Sequence, residues 1–186
     1  MQRREALRLI GTAAAIPALG GLSAERLWGL AQDTHDRADA FSRSGLGVLD
    51  PHQLETIATI GDIILPRTDT PGARDVGVPA FIDLLMTEWY DDTERAQFLT
   101  GLAAIDADAA GAGGGARDFI SLPSAAQLAL VGKLDTAEAR PAGSAVQAFR
   151  TIKQLTVFGY FTSRPVQRDV LKVNIWPGRY DGCVPA

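Results

Sequence analysis

The sequence predicts an all-α protein: a single compact helical domain of about five helices, closed by an irregular C-terminal tail and preceded by a signal peptide and a linker. Three observations carry that expectation. Apolar residues return at three- and four-residue spacing along five separate stretches, the period of one helix face. No stretch alternates apolar and polar residues with the period of two that a half-buried strand shows. Turn-forming and capping residues fall between the stretches and mark their ends. The chain has 186 residues, 46% apolar and 22% charged, which suits one hydrophobic core and is unlike a disordered composition.

The first element is an address. Residues 1–31 open with Arg3 and Arg4, add Arg8, and then run without charge from Leu9 to Ala24. Gly11, Pro17, Gly20 and Gly21 dilute that run, whereas a spanning helix needs about 20 predominantly apolar residues. It reads as a cleavable export signal, and the paired arginines favour the twin-arginine route, which carries folded cargo to the periplasm. RREALRL departs from the fullest motif at Gln2 and Arg8. A small-residue cleavage position falls after Ala31. An amphipathic cytosolic helix is the competing reading, but its uncharged face would have to be buried elsewhere. Residues 32–48 are polar and glycine-containing, and read as a linker or extended arm.

The helical domain is assigned to 49–186. Asp50 is an N-cap, Pro51 takes the first helical position, and Gln53 completes a capping box. Leu54, Ile57, Gly61, Ile64 and Leu65 then share a face until Pro66 ends the helix. Residues 66–78, rich in proline, glycine and aspartate, form a loop. A second helix starts at Pro79 and presents Phe81, Leu84, Leu85 and Trp89. Asp92 caps a third, with Phe98, Leu99, Leu102 and Ile105 inward, and the glycine run at 111–116 breaks it. Ser124 and Gln127 read as a second capping box, opening a helix through Leu128, Val131 and Leu134. Ser144 opens a longer helix through Val146, Phe149, Ile152, Leu155 and Phe158. A short turn or helix near Thr162–Asp169 precedes the tail.

Charge and motif spacing exclude several functions. The net charge is −4, and −6 once residues 1–31 are set aside, which argues against a nucleic-acid partner. Gly111, Gly113 and Gly114 lack the spacing and the preceding strand of a dinucleotide fingerprint. His35 and His52 have no second histidine or cysteine at ligand spacing, so no metal site is expected. Glu88, Asp91, Asp92 and Glu94 cluster at a helix junction, where acids favour the N-terminal dipole. Asp62 sits in an apolar neighbourhood and is expected to face solvent or a partner. Thr162 and Ser163 have no histidine near in sequence to activate them. No catalytic or cofactor-binding set emerges. Cys183 is the single cysteine, which leaves an unpaired thiol or an intermolecular disulfide.

The stretch PRTDTPGARDVGVPAFIDLL (66–85) resembles the small, third subunit of the membrane-linked gluconate 2-dehydrogenases, a family that also supplies small subunits to flavin-dependent sugar dehydrogenase complexes. The resemblance runs over roughly residues 49–185. It includes the helix ending IGDIILP, the loop with Thr68, Asp69, Thr70, Pro71, Gly72 and Ala73, and the closing segments FGYFTS and WPGRYDGC. It implies a non-catalytic accessory subunit that holds no cofactor. The expected partner is a large flavoprotein of the glucose–methanol–choline oxidoreductase type, carrying FAD. Some such complexes add a multihaem c-type cytochrome. The twin-arginine translocase would be a transient partner, and association with the membrane would come through the complex. The interface is expected at Thr68, Asp69, Pro71 and Gly72 in the loop and at Trp176, Arg179 and Tyr180 in the tail, with Tyr160 and Phe161 as further aromatic anchors. A free-standing exported helical binding module is the alternative that the residues leave open.

Overall fold

The structure, a computed structural model, describes residues 33–35, 37, 38, 40, 41, 47–112, 115–139 and 141–172. Arg3 and Arg4 of the signal, and Trp176, Arg179, Tyr180 and Cys183 of the tail, lie outside the described residues. Among the described residues from 51 onward, five α-helices follow one another: α1 Pro51–Ile64, α2 Val78–Glu88, α3 Asp92–Gly111, α4 Ser124–Thr136 and α5 Ala145–Thr162. A π-helical turn at Val166–Val170 follows α5. There is no strand among the described residues, so the all-α expectation holds.

Local chemistry sets most of the helix starts. Asp50 accepts from the Gln53 backbone N–H at 2.8 Å while the Gln53 side chain accepts from Asp50 N–H at 3.0 Å, the reciprocal box expected at α1. Ser144 caps α5 through the Gln147 N–H. The cap of α3 is Asp91 rather than Asp92, and it forms its own box with Glu94. Asp92 becomes the first helical residue and pairs with Arg95. The expected box at α4 does not form. Ser124 is already helical, Pro123 precedes it without a side-chain cap, and the buried Gln127 side chain donates instead to the Phe119 carbonyl at 3.1 Å. That draws the inner stripe of α4 through Gln127, Leu130, Val131 and Leu134, leaving Leu128 exposed.

The last helix organises the core. α5 packs against each of the other four helices, and α1 also packs on α2. Ile57, Ile60, Ile82, Met86, Ile105, Phe119, Phe149 and Ile152 are fully enclosed in one cluster. Two glycines permit close approach. A Cβ at Gly101 of α3 would stand 2.6 Å from Ala148 Cβ on α5, and one at Gly159 of α5 would stand 2.9 Å from the Phe81 ring on α2. At the far end of α4, the Arg150 guanidinium donates to the Asp135 carbonyl at 2.8 Å, covering an acceptor that the helix leaves open.

The segment read as a linker or extended arm is different in the structure. All described residues between 33 and 41 are helical. Ala38 is buried against Phe81, Leu84 and Leu85, with Phe41 packed beside them. The reason is compositional: Ala38 and Phe41 lie three apart, and His35 three before, so one face of a polar segment is small or aromatic enough to dock. Among the described residues no helix is long and apolar enough to cross a membrane.

Candidate partner interface

The loop between α1 and α2 is irregular in sequence yet heavily tied. Its ends meet where Ala73 N–H donates to the Leu65 carbonyl at 3.0 Å, and its apex closes where Thr68 N–H donates to the Thr70 carbonyl at 3.0 Å. Ala73 and Val76 are buried in the core and act as anchors. The Tyr160 hydroxyl reaches from α5 to donate to the Pro71 carbonyl at 2.8 Å. Gly72 is buried, and a Cβ there would stand 2.8 Å from the Arg67 backbone nitrogen. Its part is to let the loop close; it does not offer a contact surface.

Charged groups fix the same loop to α1. Arg74 forms a two-point pair with Glu55, at 2.8 and 2.9 Å, and donates through Nε to Asp62 at 2.9 Å. Asp62 also accepts from the Arg74 backbone N–H. The acid expected to face solvent or a partner is therefore engaged by the loop itself. The Arg74 hydrogen bond holds the Glu55 carboxyl below its usual range, and both acids raise the Arg74 guanidinium further. Asp75 accepts from Gly72 N–H at 2.8 Å and from Arg67 Nε at 2.7 Å. The Gly72 bond, and then Arg67, keep its carboxyl low.

What remains outward is the apex. Arg67, Thr68 and Asp69 are exposed, Thr70 and Pro71 half-buried. Thr68 donates to its neighbour Asp69 at 2.9 Å, which orders the tip. On the other side of Tyr160, the Phe161 ring stands edge-on to it at 5.2 Å between centroids and is 42% exposed. Val157, one turn earlier on α5, is also exposed. Of the residues expected at an interface, Thr68, Asp69 and Phe161 are thus presented on the surface, with Tyr160 holding the scaffold beneath them.

Two long-range polar contacts lie outside the expectations drawn from the sequence. Asp83 is buried on α2, and its Oδ1 accepts from the backbone N–H groups of Val48 and Leu49, each at 3.1 Å. Burial raises its carboxyl above the usual range, against the pull of those two bonds. The available signal was an aspartate inside VPAFIDLLM, the most apolar of the helices. His35 was the other. Its ring stacks on Phe81 with centroids 4.6 Å apart, and its Nε2 lies 3.0 Å from Thr162 Oγ1. That hydroxyl also donates to the Phe158 carbonyl one turn back on α5, at 2.7 Å. The pair anchors the segment around His35 to the end of α5.

His52 is also engaged. Its Nε2 lies 2.8 Å from Asp106 Oδ2 on α3, while Asp106 Oδ1 accepts from Phe119 N–H at 3.0 Å. The hydrogen bond to Asp106 raises the imidazole above its ordinary value. Asp118, beside it, is held low by the Ser121 backbone. Among the described residues no group of three or more histidine, cysteine, aspartate or glutamate side chains is placed to hold a metal ion.

The family model described as Gluconate 2-dehydrogenase subunit 3 matches residues 51–178, which spans all five helices and the tied loop. No curated protein matches the chain, and no solved structure does. The match covers more than half of the sequence, and the chain belongs to the gluconate 2-dehydrogenase subunit 3 family.

Proposed function

We propose that the chain is the non-catalytic small subunit of a periplasmic FAD-dependent dehydrogenase complex acting on gluconate, a related sugar or an alcohol. In this reading its large partner is a glucose–methanol–choline-type flavoprotein, and a multihaem c-type cytochrome completes some assemblies. The chain acts as export escort and stabilising partner: residues 1–31 with Arg3 and Arg4 address the folded pair to the twin-arginine translocase, and the helical body grips the flavoprotein. The observation that carries the reading is the family match across residues 51–178. The tied loop supports it, because a partner surface gains affinity when its contact groups are ordered beforehand. An interface able to survive transit buries about 1,200–2,000 Å², and the apex Arg67–Asp69 with Phe161 would form one part of it.

Co-expression with a large glucose–methanol–choline-type flavoprotein from the same source tests the reading. Purification through a tag on this chain should yield a yellow complex with a flavin spectrum from the periplasm. Deleting residues 1–31, or replacing Arg3-Arg4 by Lys-Lys, should leave both chains in the cytoplasm. A colourless monomer recovered alone from the periplasm would instead identify a free-standing binding module. Normal export of the flavoprotein without residues 1–31 would sink the escort role.

A further inference from the structure

The helical arm at the N-terminal edge of the body makes contacts that neither a spacer nor a simple tether requires. In proteins most helical stability comes from the tertiary packing of one face, so the helical state of the described residues between 33 and 41 rests on what they dock against. That surface has two sources far apart in sequence. Phe81, Leu84 and Leu85 come from α2 and enclose Ala38, which is 1% exposed. Thr162 comes from the end of α5 and bonds His35, whose ring is at the same time stacked on Phe81. Phe81 in turn rests on Gly159 of α5. One imidazole therefore touches both helices at the place where they touch each other. Arg37 adds an ion pair with Glu88 at the end of α2.

We propose that this arm is a fold-dependent latch. It docks as a helix only when α2 and α5 are assembled, and it thereby fixes the chain ahead of residue 33 to a folded body. With α2 and α5 apart, the His35 site does not exist, and the arm loses its helix together with its attachment. The latch reads the state of the tertiary contact between the two helices, because neither helix alone supplies both halves of the site. Its use rests on the export reading given above: an address for folded cargo is then displayed from a defined point only on a body that has folded.

Hydrogen exchange on the full-length chain, followed by mass spectrometry over peptides covering 33–41, tests the latch directly. In the unaltered protein this segment should exchange at least ten-fold more slowly than an unstructured peptide of the same sequence. Ala38→Asp should remove that protection while α3 and α5 keep theirs. Arg37→Glu should speed exchange two- to five-fold, and adding Glu88→Arg should restore it, a rescue that separates docking from general loss of stability. Exchange at the unstructured rate in the unaltered chain, or unchanged protection in Ala38→Asp, overturns the latch. In cells, Ala38→Asp should lower the exported fraction several-fold. An arm released in vitro with export unchanged overturns the coupling. Export that is indifferent to Arg3-Arg4→Lys-Lys removes the export reading itself, and the exchange result still decides whether the latch exists.

Discussion

Two of the connections between the helices of this domain are pinned by ions, and the ions differ in kind. The α1–α2 loop is held by Arg74, a guanidinium that stays charged at any ordinary pH, bound to Glu55 and Asp62. The α3–α4 connection is organised on Asp106, which takes the Phe119 N–H with one oxygen and the His52 ring with the other. The first connection ends in an exposed, ordered apex, the second in a fully enclosed phenylalanine. An outward loop needs a hold that stays charged on both sides around neutral pH if it is to keep one shape. An inward one is secured by burial, and its ion pair only trims the edge.

The sharpest way to break the contrast is at the enclosed ring. Phe119→Ala should cost about 3–5 kcal/mol through lost burial and the cavity left behind, read as a lower denaturant midpoint. The outward loop has no side chain of comparable weight, and its weak point is backbone crowding. Gly72→Ala should cost about 1–3 kcal/mol, because the new Cβ would meet the Arg67 backbone at 2.8 Å and the loop must shift. If thermal melting of Gly72→Ala matches the parent, the loop is not packed as described. Tyr160→Phe is gentler. It removes the donor to the Pro71 carbonyl and should cost about 1 kcal/mol, with faster amide exchange confined to residues 66–73.

The smallest effect is the one that distinguishes the two ions. His52 has a raised value in the folded state, so its pairing stabilises fully below its ordinary 6.5 and is lost as pH climbs through the raised value. Glu55 has a lowered value, so its pairing is present above its ordinary 4.5 and is lost as pH falls through the lowered one. The melting-temperature difference between the parent and His52→Ala should therefore shrink from pH 6 towards pH 9. The difference between the parent and Glu55→Gln should hold across that range and shrink only in acid. Both groups are partly exposed, so each difference should also weaken with added salt.

The contrast also explains what sequence could show. Helix faces and the caps Asp50 and Ser144 were legible because each is local: a side chain and a backbone N–H three residues on. The box assigned to Ser124 and Gln127 failed because the Phe119 carbonyl competed for the glutamine, and that carbonyl is near only in three dimensions. The helical, docked state of the arm is hidden from sequence for the same reason, since its partners Phe81 and Thr162 lie 46 and 127 positions beyond His35. The loop at 66–78 could be located from its proline and glycine content, and family resemblance marked it as important. Its rigidity could not be read, because Tyr160, Glu55 and Asp62 enter from other elements. The division between exposed Thr68 and Asp69 and buried Gly72 follows from the same ties.

One contact binds two positions into a single unit of inheritance. A methyl group at Gly47 would lie 1.8 Å from an Asp83 carboxylate oxygen, the same carboxylate that holds the Val48 and Leu49 backbone. Neither residue is free to drift alone. A larger residue at 47 requires the acid at 83 to be withdrawn, and withdrawing it takes the acceptor from the buried Leu49 N–H and leaves the Val48 N–H with Thr87 Oγ1 at 3.3 Å. Across related sequences the two positions should change together or not at all.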